Sequence, residues 1–260
     1  MLRKLIKYDF INTWKQYTLI LGLSVVAAVV GALASAIASF SEDTLQILSA
    51  LAGFCMIGAF VAPMAIWILV AIHYHKKFFS DEAYLTFTLP ATPAQHLTAK
   101  MISGVTWYFA SAGVMIFNFL IIIFTEAIVY ATKMSPEMIP DDTAPIVMTT
   151  MDWLTTLSWG VCIVIAMVAQ LALLYLSLTL SGNIATKHKG LVGVVVYMAV
   201  NSVASTVMSI AEGVLMFTSF SVEGMEFMVL GILSSVLYAG MCAACLSITH
   251  HILSRKLNIQ

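Results

Sequence analysis

Residues 154–182 read LTTLSWGVCIVIAMVAQLALLYLSLTLSG, a run without a single Asp, Glu, Lys or Arg. A membrane-spanning helix needs about 20 mostly apolar residues. A helix also satisfies its own backbone hydrogen bonds in lipid, where no water can do so. Five further stretches meet the same standard, at roughly 17–39, 45–72, 101–125, 190–211 and 227–249. The whole chain of 260 residues is 61% hydrophobic and only 10% charged, whereas soluble domains carry about a quarter charged residues. These observations predict an all-α integral membrane protein with six transmembrane helices, forming one membrane domain over 1–260. The net charge of −1 offers no basic patch for nucleic acid.

The positions of Lys and Arg set the orientation. Arg3, Lys4, Lys7, Lys15, Lys76, Lys77, Lys100, Lys187, Lys189, Arg255 and Lys256 fall on one side of the predicted spans, and only Lys133 on the other. The positive-inside rule makes the richer face cytoplasmic, with both termini inside and the protein in the cell membrane. The first apolar run is long and begins after 16 amphipathic residues, unlike a cleavable signal peptide. In residues 1–16, Leu2, Ile6, Phe10 and Trp14 recur at i+4. The pattern predicts an interfacial helix lying in the inner headgroup layer. Residues 212–226 are apolar for a loop and read either as a re-entrant turn or as the ends of two longer helices.

Small residues repeat every four positions at Ala27, Gly31, Ser35 and Ser39, and again at Gly231, Ser235, Ala239, Ala243 and Ser247. Such stripes let helix backbones approach closely, and Pro63 is expected to kink the second span. Asn118, Gln170, Asn201 and Ser205 are the polar side chains at membrane depth. They either line a translocation path or bond neighbouring helices, the commoner use of neutral amides and hydroxyls. Glu126 and Glu212 fall at the outer ends of their spans. Neither the six His nor the four Cys show the spacing of a metal site, and Cys242-Ala-Ala-Cys245 lies deep in an apolar segment where nothing activates a thiolate. No catalytic or nucleotide-binding motif is found, so no catalytic, cofactor or metal residue is assigned. Any energy must come from elsewhere.

One loop stands apart. His73–Lys100, HYHKKFFSDEAYLTFTLPATPAQHLTAK, is the longest stretch on the positive side and mixes charges with aromatics, unlike a plain polar connector. Its Phe79, Asp81, Glu82, Tyr84, Leu85, Thr86, Thr88, Leu89 and Pro90, followed by Lys100, resemble the F-x-D-E-x-Y-L-T-x-T-L-P run of small ABC-2-type ABC transporter permeases. The N-terminal LIKYDF and the six-span layout are also similar to that family. The resemblance implies a coupling helix between spans two and three that docks on a separate ABC ATPase subunit, with Phe78, Phe79, Asp81, Glu82, Tyr84, Leu85 and Leu89 at the contact. It implies that residues 1–16 form a connecting helix and that Gly182–Lys189 make a second, smaller contact. ATP and Mg would be bound by the partner, and a second permease copy or a paralogue would complete an exporter. The alternatives are an ATPase-independent secondary transporter or, further off, an intramembrane enzyme.

Overall fold

The computed structural model describes residues 2–40, 45–79, 92–133, 150–184, 189–219 and 226–255, and all of these but Thr92 are α-helical. The helices are α1 (Leu2–Phe40), α2 (Leu45–Phe79), α3 (Pro93–Lys133), α4 (Thr150–Ile184), α5 (Lys189–Ser219) and α6 (Glu226–Arg255). Each contains a segment long and apolar enough to cross a membrane, and no strand occurs among the described residues. Large side chains such as Phe54 (75% exposed) and Phe217 (86%) stand on the outer faces. That arrangement suits a multi-pass membrane protein, whose outer apolar surface meets lipid rather than water.

The helices overrun the predicted spans. At 1.5 Å per residue, the 41 residues of α3 reach about 61 Å, twice the hydrocarbon thickness of about 30 Å. Its start is a capping box at Thr92-Pro93-Ala94-Gln95. Thr92 Oγ1 accepts from the Gln95 N–H, and the Thr92 N–H donates to Gln95 Oε1, both at 3.3 Å. Pro93 takes the first helical position, where a missing N–H costs nothing. The 73–100 loop is therefore shorter than expected, because His73–Phe79 extend α2 and Pro93–Lys100 open α3. Glu126–Lys133, beyond the predicted end of the third span, are likewise helical. Residues 212–219 continue α5, the longer-helix reading of that segment.

Residues 1–16 do not form a helix of their own, since α1 runs unbroken from Leu2 to Phe40. Its buried stripe also differs from the expected apolar one. Asp9, Thr13, Tyr17, Leu21, Ser24 and Ala28 face inward, while Tyr8, Ile11 and Trp14 are exposed.

The contacts divide the chain into two compact units. One comprises the described residues of Ile6–Val70 and Thr106–Pro145; the other comprises those of Met1–Leu5, Ala71–Val105 and Ile146–Gln260. In the first, α1 and α2 approach closely at Gly31. A Cβ there would lie 3.0 Å from Cys55 Cβ and 3.3 Å from the Ala52 carbonyl oxygen. In the second, α4 packs along both α6 and α5. Gly231 abuts Ser158, but Ala239, Ala243 and Ser247 of the same i+4 series are exposed. Four residues turn a helix by about 400°, so four such steps rotate the stripe off its contact by roughly 160°.

Candidate functional site: the helical base of the loop between α2 and α3

The end of α2, the start of α3 and the end of α4 meet in the second unit. The Tyr74 and Tyr175 rings stack at 4.0 Å between centroids with an interplanar angle of 10°. The Phe78 ring lies 4.8 Å from that of Tyr74. All three side chains are essentially fully buried, and offset aromatic pairs of this kind add to the stabilisation from area alone.

The polar tips are satisfied in order. Thr179 Oγ1 donates to the Tyr175 carbonyl at 2.7 Å, so its lone pairs face the Tyr74 hydroxyl 2.9 Å away, and Tyr74 is the donor. The Tyr175 hydroxyl donates to the Lys100 carbonyl at 3.2 Å. Lys100 Nζ stands 2.9 Å from His73 Nε2. At the last turn of α2, the Phe79 ring rests on Gly182, at a place where any Cβ would collide with it. The loops that follow Phe79 and Ile184 thus leave one packed base.

Sequence reasoning missed Tyr74, Tyr175, Thr179 and the Phe79–Gly182 contact. Tyr175 and Thr179 sit in an apolar run with no local mark. Gly182 closing a span beside a short loop was the available signal.

Of the expected partner contacts, Phe78 and Phe79 are described. Phe78 is turned inward and buried, so its ring supports the base rather than presenting a free surface. Phe79 is half-buried against Gly182. Asp81, Glu82, Tyr84, Leu85 and Leu89 lie outside the described residues, as does most of the expected second contact, at 185–188.

The polar residues at membrane depth separate by role. Asn118 is fully buried in the first unit. Its Nδ2 donates to the Ala59 carbonyl at 2.8 Å and lies 3.4 Å from Ser24 Oγ. Pro63 has no N–H, so the carbonyl four residues earlier, that of Ala59, loses its partner in the helix ladder. Asn118 replaces that donor, which is the helix-bonding reading of this residue.

Hydroxyls in this unit share one habit. Thr13, Ser24 and Ser111 each donate to a carbonyl of their own helix. They then accept from Trp107, Asn118 and Trp67 respectively on a neighbouring helix. Glu126, exposed, meets Ser35 Oγ at 2.9 Å. In the other unit, Gln170 and Ser205 are exposed and Asn201 half-buried, and Glu212 hydrogen-bonds Tyr238 of α6. Among the described residues no cluster of three metal-ligating side chains occurs.

Comparison with protein-family models, with curated proteins and with solved structures finds no match. The functional reading is therefore carried by the side chains.

Proposed function

We propose that this chain is the membrane-spanning permease subunit of an ABC transporter of the ABC-2 type, an exporter in which a separate ATPase subunit grips residues 80–91. The observation that carries the reading is the D-E-x-Y-L-T-x-T-L-P run at Asp81–Pro90. The helix ends that precede and follow this run are tied to α4 by the Tyr74–Tyr175 stack and by hydrogen bonds to Thr179 and to the Lys100 carbonyl. Here a displacement of the loop acts on Phe79 and Pro93, and through Tyr74, Phe78 and Lys100 on α4. Asp81 and Glu82 suit the first turn of a short helix, where the dipole favours anions. Tyr84 and Leu85 are the anchors that would fill a pocket on the partner. ATP binding in the partner would move this loop, and the spanning helices would change their opening in response. Orientation with both termini in the cytoplasm follows from the distribution of Lys and Arg.

The test is co-purification from native membranes. The tagged wild-type chain is expected to carry a subunit with a Walker A motif, and Tyr84→Ala with Leu85→Ala should abolish that association while leaving membrane insertion intact. Equal recovery of the ATPase with both forms would remove the docking assignment. Gradient-driven flux by the purified chain alone would favour a secondary transporter instead.

A further inference from the structure

The second unit also holds a feature that the loop account does not use. Between α4, α5 and α6 lies a groove-like cavity of about 350 Å³, open along most of its length rather than enclosed. Leu173 lines it from α4, Val200, Val203 and Ala204 from α5, and Met241 and Cys245 from α6. Counting 1.5 Å per residue, Leu173 stands about 17 Å from the end of α4, Cys245 about 15 Å from the end of α6, and Val200–Ala204 about 17–23 Å from the start of α5. The lining residues therefore share one depth, well inside the apolar part of each helix.

Three observations limit the occupant. The wall offers almost no polar surface, so a solute with hydrogen-bonding groups would lose its water without compensation. An open apolar groove gains from being covered by apolar groups rather than by water. The cavity is also open at its side. Val203 lines it yet is 66% exposed, next to the exposed Val207 on the outward face of α5, whereas Cys245 at the back is buried. An occupant must arrive laterally, from whatever covers that apolar face. Asn201, Ser205 and Gln170, the polar candidates for a path, are not among its lining residues.

We infer that this cavity is a binding site for a hydrocarbon chain, the acyl chain of a bilayer phospholipid, inserted from the side between α5 and α6. The inference does not depend on the transport reading and needs no partner subunit.

The test uses the full chain in vesicles of phosphatidylcholine with a photoactivatable diazirine midway along one acyl chain. After irradiation, adducts are located by peptide mass spectrometry. Adducts should concentrate on Val200–Ala204 and Met241–Cys245, and Ala204→Phe should reduce them at least about tenfold, because its ring takes the space of the chain. Labelling at the exposed Phe54 should not change. Should Ala204→Phe not yield monodisperse protein, Ala199→Leu, at a further residue of the α5 lining, fills the space more gently. Uniform labelling of all exposed apolar positions, unaffected by either substitution, would overturn the site. So would a lack of adducts at these residues in protein that chemical crosslinking traps as a dimer, which would make a second chain the occupant.

Discussion

Replacing Asn118 by Leu isolates one hydrogen bond whose necessity follows from a proline on another helix. Leu keeps the forked outline of Asn but is the larger side chain, so at this fully buried position it adds an overpacking cost to the loss of the donor to the Ala59 carbonyl. That carbonyl has no ladder partner, because Pro63 lacks an N–H. Leaving a buried acceptor unsatisfied costs about 1–3 kcal/mol, and interhelical bonds measured in membranes fall near the lower part of that range, about 0.6–2 kcal/mol. We therefore expect the lost bond to contribute about 1–2 kcal/mol to the destabilisation by Asn118→Leu, with the overpacking cost added to it. The 3.4 Å contact with Ser24 adds little at that length.

The decisive comparison is Pro63→Ala. An alanine restores the N–H and bonds Ala59 within α2, so in that background Asn118→Leu should cost about 1 kcal/mol less, because the overpacking cost is common to both backgrounds and cancels in the cycle. The assay is reversible unfolding of detergent-solubilised protein by added SDS, followed by tryptophan fluorescence across the four forms of the cycle. Equal losses in both backgrounds, to within about 0.3 kcal/mol, would refute the claim that Asn118 serves the carbonyl freed by Pro63.

Other substitutions probe the packed base and the close approaches. Gly182→Ala should destabilise by about 1–3 kcal/mol through overpacking against the Phe79 ring, and Phe79→Ala in the same chain should recover part of that loss in a thermal unfolding assay. Tyr74→Phe keeps the stack on Tyr175 but removes the hydroxyl bonded to Thr179, for about 0.5–1.5 kcal/mol. Tyr175→Ala, which also empties the stack, should cost about 3–5 kcal/mol. At Gly31 a Cβ would press on Cys55 and the Ala52 carbonyl, whereas at Gly22 it would meet nothing within 4 Å. Gly31→Ala should therefore lower the unfolding midpoint, and Gly22→Ala should leave it unchanged or raise it through better helix propensity.

The number and place of the six long helices were legible because hydropathy over 20 residues is a strong, additive signal. Their ends were less so, because hydropathy fades before the helix does. Thr92-Pro93-Ala94-Gln95 carried a readable capping box, and no breaker stands between Ala71 and Phe79. The buried face of α1 was misplaced for a physical reason. Where the surroundings are apolar, the residues turned to other helices are the small and hydroxyl-bearing ones, so Asp9, Thr13, Tyr17 and Ser24 face inward and Trp14 outward. An amphipathicity rule drawn from water-facing helices points the other way. In the candidate site, the loop motif could be read by its letters. The aromatic stack joins residues about a hundred positions apart, Tyr74 with Tyr175 and Thr179, and no local pattern announces such a pairing. Asn118 was legible in part, since a proline at 63 implies an orphan carbonyl at 59, but which amide answers it depends on how the helices pack.

The most direct test of the central claim places a photo-crosslinking amino acid at position 84 and irradiates the chain in its native membranes. An adduct with a protein bearing a Walker A motif, lost when Leu85 is also changed to Ala, is the predicted result. Adducts confined to lipid or to this chain's own helices would contradict the account.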